Sequence, residues 1–162
     1  MKKYSLILIV VNLIFFLGLF NYSITEKERL LSNGKLVLLE LAPVDPRSLM
    51  QGDYMNLRYA ISEDIYTDSV AKRGFLVVTL DSLGIGKKVR LQEDVLPKDN
   101  NQLVIEYTSK AYVGINIGAE FYFFQETEAE KYESAKYGGI KVDDEGNSIL
   151  VGLYDADENK IE

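Results

Sequence analysis

The first hydrophobic pattern along the chain is unbroken. From Leu6 to Phe20 it reads LILIVVNLIFFLGLF, apolar except for Asn12. Taken as helix from Tyr4 to Ile24, this stretch extends about 30 Å at 1.5 Å per residue, the thickness of a bilayer's hydrocarbon core. The next segment, TEKERLLSN at 25–33, is polar but compatible with helix, and Gly34 is placed to cap it. Beyond Gly34 the period changes. KLVLLEL at 35–41 reads as a strand, and an alternating run starts at Tyr54. There Met55, Leu57, Tyr59 and Ile61 share one face, while Tyr54, Asn56, Arg58 and Ala60 share the other, which is the signature of a half-buried strand.

Further strands are predicted at GFLVVTL (74–80), KKVRL (87–91), QLVIEYT (102–108), AYVGINI (111–117) and Phe121–Phe124. Turn signals separate them: DSLGIG at 81–86, PKDNN at 97–101, and Ser109-Lys110. ETEAEKYESAK at 126–136 is the one good helix of this region, with acidic residues in its first turn. Lys141–Asp144 and Ser148–Tyr154 then form a hairpin around Asp144-Glu145-Gly146-Asn147. The expected fold is mainly β: an antiparallel sheet or barrel-like domain of seven to nine strands with one short helix, preceded by a single transmembrane helix. The expected organisation is an N-terminal signal anchor at 1–24, a helical stalk at 25–34 and a β-rich domain at 35–162.

Charge gives the anchor a direction. Lys2 and Lys3 precede the apolar run, which predicts an N-terminus inside and a C-terminal domain outside the cytoplasm, across the cytoplasmic (inner) membrane. Tyr4 and Tyr22 fall where interfacial aromatics are favoured. The run lacks a small-x-small cleavage site, so an uncleaved anchor is expected. Beyond residue 21 the chain carries 16 basic and 25 acidic residues, a net charge of −9. Such a balance argues against nucleic acid and disfavours anionic lipid headgroups as partners. With no Cys and no His, disulfides, lipidation at a Cys, Ser-His-Asp triads and His-bound zinc are all excluded.

The stretch with the most local constraint is PVDPRSLMQGDYMNLRY, residues 43–59. Pro43 and Pro46 stiffen a corner, Asp45 and Ser48 can accept backbone N–H bonds there, and Gly52-Asp53 forms a turn into the alternating strand. Gly52–Tyr59 also fits the pattern GDYXXLXY, and on this ground the chain resembles the GDYXXLXY family of bacterial membrane-anchored proteins. A second match is Gly118–Glu126, similar to that family's G-I-E-x-Y-F-V-P-E, with Ala119 in place of the usual Ile and Gln125 in place of the usual Pro. The resemblance spans roughly residues 35–155. It implies no reaction, and it implies a multi-pass membrane protein as neighbour. The candidate binding residues are Asp45, Arg47, Gly52, Asp53, Tyr54, Leu57, Tyr59, Gly118, Glu120 and Tyr122.

Two chemical readings stand beside this one. Ser48 with a lysine base is the one nucleophile arrangement that needs no histidine. SLMQGDY after an N-terminal anchor superficially resembles a signal-peptidase segment, but the position where that segment carries its nucleophile is Val44 here. Lys72, Lys87 and Lys88 also lack an apolar strand setting. Alternatively, Asp45, Asp53 and Glu120 could converge with Tyr54 or Tyr122 as an oxygen-only cation site. Against that stands capping by Asp45 and Asp53, with Glu120 paired to Arg47 or Arg58. No cofactor is implied. With 11 Tyr and 7 Phe and an anchor, the sequence favours a membrane-tethered interaction or accessory module.

Overall fold

In a computed structural model, residues 2–42, 50–51, 54–63, 65, 70–110, 114–124 and 129–161 are described. The apolar run and the polar segment after it form one continuous helix, α1 (Lys2–Asn33). Within it, Ile7–Asn33 is long and apolar enough to cross a membrane, and none of its most apolar window is buried against the rest of the chain. Gly34 ends the helix differently from the αL cap that its sequence position suggests. It donates to the Leu30 carbonyl as a last helical hydrogen bond of 2.9 Å. Its lack of a side chain matters for space, because a Cβ there would collide with the Leu30 carbonyl and lie 3.1 Å from Lys141 Cβ.

Ten strands follow among the described residues: β1 (Lys35–Glu40), β2 (Met50–Gln51), β3 (Tyr54–Asn56), β4 (Arg73–Leu80), β5 (Gly86–Gln92), β6 (Gln102–Lys110), β7 (Gly114–Asn116), β8 (Phe121–Phe123), β9 (Tyr137–Val142) and β10 (Ser148–Tyr154). They pair antiparallel in three sheets, ordered β1-β9-β10, β2-β3-β8 and β5-β4-β6-β7. Single bridges join the sheets: Leu38 to Ile85 in parallel sense, and Leu41 to Tyr59 in antiparallel sense. The domain is therefore mostly antiparallel β, as the alternating patterns predict.

All three sheets face one core. Val37 and Leu39 from β1, Leu76 and Val78 from β4, Ile105 and Tyr107 from β6, and Ile140 and Val142 from β9 are buried in it. Each follows the two-residue period of its strand, which sets these side chains on the core face, while Leu38, Val77 and Val104 on the other face of β1, β4 and β6 are buried as well. Burial of a Leu, Ile or Val side chain of this kind contributes about 1.5–3 kcal/mol.

Three hairpin-type turns repeat one device. Asp81, Asp143 and Asp155 each accept, through Oδ1, the N–H groups of the residues two and four positions on, at 2.9–3.0 Å. An aspartate at the turn entrance thus replaces the sheet's own hydrogen bonds where the chain reverses. The backbone N–H groups beside Asp81, first that of Ile85, hold its carboxyl below the ordinary carboxylate value, with Lys87 adding to the effect.

Four predicted elements differ. The alternating run from Tyr54 is strand only as far as Asn56 and passes into a 3-10 turn at Ala60–Ser62. The strand expected to break at Ser109-Lys110 runs through it, because Ser109 and Lys110 pair with Ile115 and Gly114 of β7. The helix expected at 126–136 is described only as α2 (Ala129–Tyr132), and residues 125–128 lie outside the described residues. It ends early because Lys136 is claimed by sheet pairing. The Lys136 N–H donates to the Tyr154 carbonyl, and its carbonyl accepts the Leu41 N–H. The final hairpin likewise begins earlier than its sequence suggests, at Tyr137.

Candidate functional site

The two sequence motifs are far apart in the chain and adjacent in space. β3 pairs antiparallel with β8 in the register Tyr54–Phe123, Met55–Tyr122 and Asn56–Phe121. The Leu57 N–H donates to the Glu120 carbonyl at 2.7 Å and extends this register by one residue. Gly118, with φ of 80°, supplies the turn into β8. No atom would meet a Cβ there, so glycine is favoured by backbone conformation and not by space.

On the inner face, Met55, Leu57 and Tyr59 are almost fully buried. The Tyr59 hydroxyl donates to the Ala119 carbonyl at 2.6 Å, so the last tyrosine of the first motif is tied to the second motif. Its ring lies on Gly138 of β9, where a Cβ would come within 2.8 Å of Cε1. Burial pushes the Tyr59 hydroxyl well above its ordinary value, and the nearby Glu120 charge acts in the same sense. Tyr122 sits half-buried against α2: its hydroxyl meets that of Tyr132 at 3.4 Å, with the rings edge to face at 5.1 Å.

The outer face is unlike the inner one. Tyr54 stands between Phe121 and Phe123, at ring separations of 6.0 and 5.9 Å. Phe121 is 56% exposed and Phe123 73% exposed. Three aromatic rings therefore form one apolar patch fixed by backbone pairing.

Of the ten candidate binding residues, Tyr54, Leu57, Tyr59, Gly118, Glu120 and Tyr122 are brought together on this ribbon. Asp45, Arg47, Gly52 and Asp53 lie outside the described residues, as does Ser48. The expected pairing of Glu120 with Arg58 does not form. Glu120 Oε1 instead accepts the Ile117 N–H, because the register sets Glu120 beside inward-facing Leu57 while Arg58 points outward and is exposed. Among the described residues no cluster of Asp and Glu is placed to hold a metal ion. Lys72, Lys87 and Lys88 are exposed, and Lys87 meets Asp81 at 3.5 Å.

Sequence reasoning missed Phe121, Phe123 and Gly138 as parts of the site. The first two were signalled by alternation about Tyr122, and the third by a Gly-Gly pair just before the predicted strand at Lys141, since glycine within a strand marks close approach of a neighbour.

These features define a β-domain whose two motifs interlock in one ribbon, carried behind a helix able to span a membrane. The family model of the GDYXXLXY proteins matches residues 16–153, and the chain belongs to that family. Comparison with curated proteins gives no match, and comparison with solved structures gives none either.

Proposed function

We propose that this chain is a membrane-anchored accessory module that binds a multi-pass membrane protein through the outer face of the β3–β8 ribbon. The observation that supports this reading is the aromatic patch of Tyr54, Phe121 and Phe123. An exposed Phe gains about 1.5–3 kcal/mol when a partner buries it, and aromatic residues are enriched at interface centres. The rings are held by strand pairing, so little ordering cost opposes binding. The multi-pass partner follows from the family resemblance and from the anchor, which confines the domain to a membrane surface.

In this reading α1 is an uncleaved signal anchor in a bacterial inner membrane. Lys2 and Lys3 keep its start in the cytoplasm, and the β-domain is extracytoplasmic. A reporter active only in the cytoplasm, fused after Glu162, stays silent on this account; an active fusion contradicts it. The binding role is tested by crosslinking the full chain in membranes and identifying what co-purifies. Phe121→Ser with Phe123→Ser should remove a multi-pass partner from the recovered material without lowering the melting temperature. Recovery unchanged by the double substitution, or no partner in wild type, refutes the role.

A further inference from the structure

A single residue separates the membrane helix from the β-domain. α1 ends at Asn33 and β1 begins at Lys35, with Gly34 alone between them. Beside this joint Leu30 is buried, and Lys141 of β9 donates from Nζ to the Leu31 carbonyl. Gly34 lies so near β9 that a Cβ there would meet Lys141 Cβ at 3.1 Å. The end of the helix is thus clamped to the sheet, and the clamp fixes the direction in which the domain stands.

The β9–β10 turn shows what that direction is. Lys141 sits beside Gly34, whereas Asp144, Glu145 and Asn147 line one open cleft with Ser23, Glu26 and Lys27. The end of β9 and the turn after it therefore run down α1 toward the bilayer. β1 pairs antiparallel with β9, from Lys35–Val142 to Glu40–Tyr137, so it runs the other way and continues the course of α1. At its far end Leu41 bridges Tyr59, and the Ala42 N–H donates to the Arg58 carbonyl. The β3–β8 ribbon is attached there, at the end of β1 that points away from the membrane.

The charges of Glu26, Lys27, Glu28 and Arg29 set the edge of the hydrocarbon near Ile24. From that edge the rest of α1 rises about 14 Å, and β1 with Leu41 adds about 20 Å. Allowing for tilt, the ribbon stands roughly 30 Å above the hydrocarbon, while the headgroup layer reaches only about 5–8 Å. Spanning helices that end at that layer do not reach Tyr54, Phe121 or Phe123. A chain that leaves the bilayer, touches the ribbon and returns needs about 20 residues at roughly 3.3 Å each. We propose that the aromatic patch docks an extramembrane loop or domain of the multi-pass partner, at least about 20 residues long and on the side where α1 emerges, and not the partner's spanning helices. The inference rests on the partner reading above and on α1 spanning the membrane.

The chain has no Cys, so a single label can be placed by one substitution. The full chain is prepared as Arg58→Cys or as Glu145→Cys, both exposed positions, and carries a donor dye in nanodiscs with an acceptor on the lipid headgroup. Energy transfer should place position 145 within about 10 Å of the headgroup layer and position 58 about 20–30 Å above it. Equal transfer from the two positions overturns the upright arrangement and the inference with it. A photocrosslinking residue at Phe123 in native membranes then locates the contact by peptide mass spectrometry. Adducts are expected in an extramembrane segment of a multi-pass protein. Adducts in a spanning helix overturn this inference and leave the partner reading standing. Adducts only to lipid or to a second copy of this chain, or no adduct while the two heights are as expected, remove the partner reading and this inference together.

Discussion

The inner and outer faces of the β3–β8 ribbon are made from the same residue types and do opposite things. Inward, Tyr59 is 1% exposed, hydrogen-bonded to Ala119 and seated on a glycine. Outward, Tyr54 and its two phenylalanine neighbours form an apolar surface turned to solvent. A tyrosine's role here is set by strand parity, since a shift of one residue moves a side chain from core to surface. The two tyrosines of one motif therefore carry separate tasks. Tyr59 locks the two motifs together, and Tyr54 belongs to the solvent-facing patch that we propose meets a partner.

That contrast can be broken most forcefully at Tyr59. Tyr59→Ala removes a fully buried aromatic ring and should cost about 3–5 kcal/mol, read as a large fall in melting temperature. Gly138→Val attacks the same ring from below and should cost about 1–3 kcal/mol by overpacking, since the added Cβ would come within 2.8 Å of Tyr59 Cε1 and 2.9 Å of its hydroxyl. Tyr59→Phe keeps the ring but leaves the buried Ala119 carbonyl without its donor, a loss of about 1–3 kcal/mol.

The same hydroxyl fixes a pH dependence. Its proton is held more tightly in the folded chain than in the unfolded one, whose value is near 10.0. The stabilisation is complete below that pH and falls as pH rises above it. Alkaline melting curves should show this slope for wild type, and Tyr59→Phe should flatten it. A smaller effect is expected at Gly118, where φ of 80° makes Gly118→Ala cost about 1–2 kcal/mol through backbone strain alone. At the bottom of the scale, Tyr54→Ala should change stability by less than about 1 kcal/mol and yet weaken partner recovery. A melting temperature that falls as far for Tyr54→Ala as for Tyr59→Ala would erase the distinction between the faces.

Much of this was legible in residue order. The unbroken apolar run became α1, and burial alternates from Tyr54 to Ile61 as the pattern predicts, although the strand itself stops at Asn56 and Ala60–Ser62 forms a 3-10 turn. The hairpin at 81–86 followed from its glycines and aspartate. What stayed hidden depends on contacts between distant segments. Nothing local tells Tyr59 that its hydroxyl will meet the carbonyl of Ala119, or tells Lys136 that Tyr154 and Leu41 will draw it out of a helix-favouring sequence. For Glu120 charge suggested Arg58 as one partner, while register turned Arg58 outward and set a Glu120 carboxylate oxygen on the Ile117 N–H; Arg47, the other expected partner, lies outside the described residues. The phenylalanines beside Tyr54 were visible as alternation, but their adjacency to Tyr54 required the pairing of β3 with β8.

The central claim is that the outer face of the ribbon, and not the domain surface in general, meets a membrane protein. A photocrosslinking residue placed at Phe123 tests it most directly, with the full chain in intact membranes and the same residue at exposed Val89 of β5 as comparison. The account predicts a discrete adduct with a multi-pass protein from position 123, none from position 89, and loss of the adduct when Tyr54 is changed to Ala. Adducts of equal yield from both positions, or none from position 123, would contradict it.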